Sequence, residues 1–274
     1  VGEVGAFMPM GLHHLGGAHW DSADIVDASG STNVRWDPVS KVHRRRGTHP
    51  TSLPVTPGAN TVIDGRVMYV DPVFTPTYVA STFNYGGLPS MSYPASRTRS
   101  SFVRNQDAIP RTRDVTAMMV FHHIGGMSGG YQYLMGAGWQ SASSNLLEGG
   151  WSLAMRADGM RFRIRDGGAD RDIFVTTVLG TGASDIYIAW ARIQLDNPEL
   201  TLARINGVQS PVNSAPFENP SNSFSDIRVG ATAANVDSAV FTTPMVAVWR
   251  RPLSITEMRY VEAYAADRFS FTAP

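Results

Sequence analysis

The sequence has no cysteine, and of its 23 Lys and Arg residues only Lys41 is a lysine. The absence of cysteine excludes a disulfide framework and any thiolate chemistry. The sequence also lacks a run of about 18 uninterrupted apolar residues, the length that a membrane helix needs, and a charged-then-apolar leader. We therefore expect a soluble chain without membrane insertion.

An excess of charge of either sign is missing too, because 23 Asp and Glu balance the 23 Lys and Arg. A protein that coats nucleic acid needs a strongly basic surface, so this balance argues against a nucleic-acid partner. Two explanations remain for the use of Arg in place of Lys. One is a GC-rich genome, and the other is selection for bidentate contacts between Arg and carboxylates at interfaces.

Glycine, proline and apolar residues are plentiful, with 26 Gly, 17 Pro and 43% apolar residues in a chain of 274. This composition is typical of a globular, turn-rich protein, and the length suffices for one large β domain with a full core. We predict a single domain over residues 19–274, preceded by an extended N-terminal arm over 1–18. The proline-rich segment 38–80 is predicted to be long irregular coil.

Strand-like segments follow one another from residue 114 onwards. Two-residue turn signals, Asp158-Gly159 and Asn206-Gly207, each separate a pair of them and predict hairpins. In the segment 160–165 apolar residues alternate with arginines, which predicts one core face and one Arg ladder. The predicted strands cover 115–121, 131–135, 151–157, 160–165, 172–178, 186–193 and 200–205.

The chain ends in a predicted helix of about four turns. Ser254 and Glu257 have capping-box spacing, and Met258, Val261 and Ala265 recur at helical spacing. Immediately upstream stands Pro252, which cannot lie inside a helix.

The last forty residues also carry a family pattern: Val229-Gly230, an apolar strand at 246–249, and Arg-Pro-Leu-Ser at 251–254 followed by Glu257. This order resembles the closing signature of laminin-G-like, or concanavalin A-like, domains. Upstream phrases resemble the opening of a subgroup that is common in bacteriophage virion proteins. They are His-Trp-Asp-Ser-Ala-Asp at 19–24, Val-Arg-Trp-Asp at 34–37, Thr-Pro-Thr-Tyr-Val at 75–79 and Gly-Leu-Pro-Ser-Met-Ser-Tyr at 87–93.

The resemblance implies an all-β fold, a sandwich of two antiparallel sheets with jelly-roll connections and a short C-terminal helix. It also implies a test for catalysis, because relatives that hydrolyse β-glucans place acidic residues at alternate positions of one strand. Two carboxylates about 5 Å apart then serve as nucleophile and acid. None of the six Glu begins such a pattern. We therefore predict that the chain is not an enzyme.

Metal and cofactor signals are weak. Each of the pairs His13-His14 and His122-His123 would point to opposite faces of a regular strand, so neither can chelate. The acidic turn at 166–172 could offer oxygen ligands to Ca²⁺, but Arg171 lies among the acids and no full ligand motif is present. No phosphate loop or dinucleotide fingerprint is discernible. We expect no cofactor, with Ca²⁺ as the alternative.

Binding to a glycan is predicted for the loops around 125–133 and 136–145, where aromatic side chains can stack on sugar rings and polar ones can bond the ring edges. The aromatics could instead simply cover the edge of the sandwich. Acidic polymers could also lie along the Arg ladder. The candidate residues are Tyr131, Tyr133, Trp139, Asn145, Arg161, Arg163 and Arg165.

Assembly contacts are predicted for the apolar, aperiodic arm and for the basic run at 43–46. The arm can pack on a neighbouring subunit or along its own domain, and the basic run can form intersubunit salt bridges or a solvated loop. The candidate residues are Phe7, Met8, Met10, Leu12, Arg44, Arg45 and Arg46.

Two functional hypotheses follow. The resemblance implies a non-enzymatic structural component of a phage virion, such as a decoration, fibre or tail-tip protein. Its partners would be other virion proteins or further copies of itself, and it would attach to bacterial surface polysaccharide. The alternative is a secreted or cell-surface carbohydrate-binding module or adhesin. A glycoside hydrolase is a third reading, which the missing carboxylate pattern disfavours.

Overall fold

The computed structural model describes the greater part of residues 114–272 and shorter stretches before them. The predicted arm residues Phe7, Met8, Met10 and Leu12, the basic run 44–46 and Asn145 lie outside the described residues, so their roles remain predictions. The described residues are 17–21, 25–27, 34–36, 68–70, 76–79, 82–93, 103–104, 114–124, 130–140, 147–166, 169–177, 179–180, 185–194, 196–212, 227–230, 239–249 and 251–272.

Most of the described residues lie in antiparallel β-strands, and one α-helix, α1 (Ile255–Arg268), follows the last strand. In the described part of the chain, the 3-10 turns Phe83–Tyr85 and Pro198–Leu200 lie between strands. The strands are β1 (Gly17–Asp21), β2 (Ile25–Asp27), β3 (Val34–Trp36), β4 (Met68–Val70), β5 (Thr77–Val79), β6 (Ser90–Tyr93), β7 (Val103–Arg104), β8 (Val115–His123), β9 (Gln132–Gln140), β10 (Leu147–Arg156), β11 (Gly159–Asp166), β12 (Ala169–Thr176), β13 (Ile186–Ile193), β14 (Leu202–Ile205), β15 (Val208–Gln209), β16 (Ile227–Val229) and β17 (Phe241–Trp249).

Two large sheets form the sandwich that the sequence predicts. One has the order β15-β14-β13-β8-β17-β6-β5, with β1 also paired to β17, and the other has the order β12-β11-β10-β9-β16. Side chains from both sheets meet in one buried core, which includes Phe121 and Val248 from the first sheet and Trp151 and Phe162 from the second. The short strands β2, β3, β4 and β7 form a third sheet.

Short strands lie inside segment 38–80, which the sequence analysis assigned to coil. Both β4 and β5 fall within it and pair with neighbouring strands. Each has three residues, too few for an alternating pattern to show in the sequence. Pairing with other strands, rather than local propensity, defines them.

The strand β17 has two different neighbours along one edge, β6 beside its first half and β1 beside its second. The change occurs at Pro244, where the pairing of β17 with β8 also shifts register between Thr242 and Met245. Proline has no N–H to donate to the ladder and is tolerated in sheets at such irregularities. β17 is therefore paired with β8 on one side and with both β6 and β1 on the other.

Both predicted hairpins are present, one with a corrected turn. Asn206 and Gly207 have φ values of 43° and 79°, as the two central residues of a type I′ turn require. In the other hairpin Arg156 pairs with Gly159, so its two-residue loop begins one residue earlier than Asp158. The loop is therefore Ala157-Asp158, because Gly159, with φ 146°, already pairs with Arg156 as the first residue of β11.

The helix α1 covers the outer face of the eight-stranded sheet. Ser254 accepts a hydrogen bond from the backbone N–H of Glu257, whose side chain in turn accepts one from the backbone N–H of Ser254, so the predicted capping box is confirmed. Met258, Val261 and Ala265 pack against a cluster that contains the stacked rings of Trp190 and Trp249.

Candidate functional site

The outer face of the five-stranded sheet carries most of the described candidate residues. Alternation along β11 buries Met160, Phe162 and Ile164 in the core, as predicted. A cross-strand row on the opposite face contains Tyr133 of β9, Ala154 of β10, Arg161 of β11 and Phe174 of β12. Register between four strands therefore brings aromatic and cationic residues side by side.

Arg161 is packed among tyrosines rather than presented to solvent. Its guanidinium carbon lies 3.5 Å from the ring centroid of Tyr131, and Nη2 donates a hydrogen bond to the Tyr133 hydroxyl over 3.1 Å. Only 5% of Arg161 is exposed. The cation–π contact and the burial hold this side chain as part of the platform that supports Tyr131.

Arg163 is engaged by two carboxylates from the neighbouring strand. Its Nε and Nη2 donate to the two carboxylate oxygens of Asp172 at 2.6 and 2.7 Å, and Nη1 lies 2.8 Å from Asp170 Oδ2. The hydrogen bonds that Arg163 donates to Asp172 raise the pKa of Arg163 above its ordinary value. Of the predicted Arg ladder, Arg165 lies in β11, but its side chain is outside the described part of the structure.

An open cavity of about 380 Å³ lies at the end of this face, next to the β10–β11 turn. Two rings line it, Tyr131 and Phe174, with centroids 6.4 Å apart. Phe174 is 44% exposed, which is unusual for a phenyl ring. Arg156 and Asp158 add an ion pair at the rim. We call this site the aromatic cavity; its lining residues are Tyr131, Arg156, Asp158, Gly159, Met160, Phe174, Val175 and Thr176.

The ion pair at the rim is held by a fork of two hydrogen bonds. Nε and Nη2 of Arg156 donate to the two oxygens of Asp158, and Arg156 also lies 5.0 Å from the Tyr131 ring centroid. The hydrogen bond from Arg156 lowers the pKa of the Asp158 carboxyl, which therefore remains charged at neutral pH. The rim thus offers both hydrogen-bond donors and acceptors.

Of the two rings in the aromatic cavity, only Tyr131 was predicted from the sequence. Phe174 was not, although a signal exists: Ile173 and Val175 are core residues, so alternation directs Phe174 outward along with Asp172. An outward-facing phenyl between acidic and polar positions indicates a contact surface. The pairing of Arg156 with Asp158 across the turn left no comparable signal.

The prediction that Trp139 lies in a loop is wrong, because β9 continues to Gln140. The Gly-rich sequence there suggests a turn, but pairing with β10 keeps it extended. A register shift between Leu153 and Ala154 places Tyr133 in the outer row, whereas Ala137 is paired with the core residue Trp151. The side chain of Trp139 is not among those described.

In the acidic turn predicted as an alternative Ca²⁺ site, the carboxylates of Asp170 and Asp172 form ion pairs with Arg163. Among the residues that the structure describes, no group of three His, Cys, Asp or Glu is close enough to hold a metal ion. Within the same residues, no helix is long and apolar enough to span a membrane.

His123 is a buried titratable group in the sandwich core, with no exposed surface. Burial is the main cause that lowers its pKa below the ordinary value; the neighbouring Gln132 side chain opposes the shift, and the nearby His122 lowers the pKa further. The folded protein therefore binds this proton at lower pH than the unfolded chain does. The contribution of His123 to stability is complete above the unfolded pKa of about 6.5 and is lost as the pH falls below it.

We accordingly expect His123→Phe to remove part of the acid sensitivity. Between pH 7 and pH 5 the free energy of unfolding should fall by about 1–2 kcal/mol more in the natural protein than in the variant. The difference arises because only the natural protein has this buried histidine, which gains a proton more readily in the unfolded chain. Urea unfolding at both pH values measures the difference. Equal pH dependence in the two proteins would show that His123 does not contribute.

Among known proteins, only solved structures bear on the fold of this chain. No family model and no curated protein matches the chain. Its structure is similar to the binding domain of Paraclostridial Mosquitocidal Protein 1, with a TM-score of 0.50 and 13% identity over 74% of this chain and 51% of that one. The botulinum neurotoxin type G receptor binding domain gives a TM-score of 0.49 at 12% identity, over 71% and 46% of the two chains.

A third solved structure is the Ruminococcus gnavus IT-sialidase CBM40 bound to alpha2,3 sialyllactose, with a TM-score of 0.45 and 15% identity over 57% of this chain and 83% of that one. The chain spans about half the length of the mosquitocidal binding domain. At 13% identity, the likeness to the mosquitocidal binding domain bears on architecture alone. It shows a shared β-sandwich fold.

Proposed function

We propose that this chain is a non-enzymatic carbohydrate-binding domain of a secreted or cell-surface protein, with its ligand in the aromatic cavity. One observation carries the proposal: two aromatic rings, Tyr131 and the exposed Phe174, line an open cavity beside a charged, hydrogen-bonding rim. This function corresponds to the alternative hypothesis from the sequence.

The chemistry of the cavity matches that of a sugar. A pyranose ring has an apolar face of C–H groups that packs on an aromatic ring, and hydroxyls at its edge that need donors and acceptors. Phe174 supplies the apolar surface, while Arg156 and Asp158 supply both kinds of hydrogen-bonding group. The volume of about 380 Å³ falls in the usual range for small-ligand sites.

Among its described lining residues, the cavity lacks the carboxylate pair that retaining glycoside hydrolysis requires. Asp158 is the one carboxylate among its lining residues, and its oxygens accept hydrogen bonds from Arg156. A nucleophile and a general acid would need two carboxyl groups about 5 Å apart with different pKa values. This arrangement supports binding rather than hydrolysis.

The virion hypothesis rests on the sequence resemblance alone. The solved structures named above are two toxin binding domains and a sialidase module, and no virion protein is among them. The arm and the basic run, which carry the predicted assembly contacts, lie outside the described residues. Virion incorporation and self-association therefore remain predictions.

Replacing Phe174 by Ala should weaken glycan binding about tenfold, equivalent to ~1.4 kcal/mol, because the stacking surface is removed. Binding is measured by isothermal titration, with a ligand identified from a glycan array probed with the natural protein. Tyr260→Ala is the matched control, because Tyr260 is a 56% exposed aromatic on α1, which covers the other sheet. Its affinity should not change.

Unchanged binding by Phe174→Ala would place the site elsewhere. A natural protein that binds no glycan on a broad array would contradict the proposed function.

A further inference from the structure

We infer that the aromatic cavity selects a neutral saccharide and discriminates against sugars that bear a carboxylate, such as sialic and uronic acids. This inference rests on the proposed function and names the class of ligand for the same site. It follows from the ion pairs and ring contacts that the guanidinium groups around the cavity already form.

The guanidinium groups near the cavity are matched by internal carboxylates. Arg156 is paired with Asp158, and Arg163 with Asp170 and Asp172. A ligand carboxylate would therefore approach guanidinium groups whose charge is already balanced by a carboxylate. To take the same forked position on either guanidinium it would have to displace that carboxylate, and the lost pair offsets the new contact.

The third guanidinium, that of Arg161, is committed in a different way. Its guanidinium carbon lies 3.5 Å from the ring centroid of Tyr131, Nη2 donates to the Tyr133 hydroxyl, and Nη1 is 3.9 Å from Asp172 Oδ2. Its burial places it under the aromatic surface rather than at the mouth of the cavity. Each of these three guanidinium groups therefore already has a carboxylate or an aromatic ring as its partner.

The most exposed charge at the rim is negative. The side chain of Asp158 is 61% exposed, compared with 38% for its partner Arg156. A carboxylate on the ligand only accepts hydrogen bonds and would be repelled by Asp158. A sugar hydroxyl both donates and accepts, so it can donate to Asp158 while it accepts from Arg156. The rim is thus complementary to hydroxyls and opposed to acids.

The test uses pairs of oligosaccharides that differ only in a terminal acid, for example a neutral lactose-type core with and without sialic acid, and a glucose oligomer with and without a terminal glucuronic acid. Titrations are run at 50 mM and 500 mM NaCl. We expect the neutral member of each pair that binds to have at least tenfold higher affinity, with less than a twofold effect of salt. A ligand without net charge has little long-range Coulomb interaction with the site for salt to screen.

Asp158→Asn provides a gain-of-function arm. It removes the negative charge and releases Arg156 while it keeps a side chain suited to a turn. We expect the variant to bind the acidic members at least fivefold more tightly than the natural protein does, and this gain should disappear at 500 mM NaCl. Tyr260→Ala again serves as the control and should behave as the natural protein.

Preferential, salt-sensitive binding of the acidic members by the natural protein would overturn the inference but leave the proposed function standing. Equal affinity for both members of each pair, or no gain in Asp158→Asn, would overturn it as well. Absence of binding to any member and to a broad glycan array would remove the proposed function and this inference together.

Discussion

Replacing Glu262 by Ala is expected to destabilise the protein by about 3–5 kcal/mol, because it leaves a buried guanidinium without its counter-ion. Both oxygens of Glu262 accept hydrogen bonds from Arg204, at 2.9 and 3.1 Å, and one also accepts from Trp190 Nε1 at 3.0 Å. Glu262 and Arg204 are both almost fully buried between α1 and the eight-stranded sheet. A buried guanidinium that loses its hydrogen-bonding counter-ion carries an uncompensated desolvation cost.

Urea unfolding at pH 7 measures this effect, with Asp267→Ala as the control. Asp267 is an exposed carboxylate on the same helix, and its removal should change the free energy of unfolding by less than about 0.5 kcal/mol. The double variant Glu262→Leu with Arg204→Met should recover much of the loss, because an apolar pair needs no charge compensation. A loss in Glu262→Ala no larger than in the control would contradict the structure of this interface.

Gly159→Ala is expected to be the second large effect, with a cost of at least about 1–3 kcal/mol from the backbone conformation alone. Gly159 has φ 146°, which side-chain-bearing residues rarely adopt. A Cβ at this position would also lie 2.1 Å from the carbonyl oxygen of Val175. Because Gly159 and Val175 both line the aromatic cavity, relief of this clash must move β12 and deform the cavity.

Thermal unfolding and glycan titration together measure the consequences of Gly159→Ala. We expect a lower Tm and weaker glycan binding in the same variant. Ala157→Ser, at an exposed position of the same turn, is the control and should leave both unchanged. A normal Tm in Gly159→Ala would show that the hairpin does not have the geometry described above.

Several local features could be predicted from the sequence with accuracy. The strand predicted at 186–193 has those bounds in the structure, Asn206 and Gly207 form the predicted hairpin turn, and Ser254 with Glu257 caps α1. Each depends on residues within a few positions of one another. Such signals survive in a linear reading because neighbouring side chains and backbone dihedrals alone determine them.

The candidate site could be predicted only in part. Tyr131 and the arginines of β11 were identified, but the sequence does not show that Arg161 lies beneath Tyr131 or that Asp170 and Asp172 neutralise Arg163. These contacts depend on the register of β11 against β12 and β9. A shift of one residue would send every side chain to the opposite face, so register decides which groups meet.

By itself, the sequence determined the local elements, which are strands, hairpin turns and a capped helix, because each of these signals is local. The antiparallel β-sandwich was what the family resemblance implied. Tertiary structure alone decided the chemistry. It buried Glu262 against Arg204, 58 residues away in sequence, and it used a register shift in β9 to place Tyr133 in the row of Arg161 and Phe174. Contacts between distant segments depend on packing and strand register, and neither is written in the order of neighbouring residues.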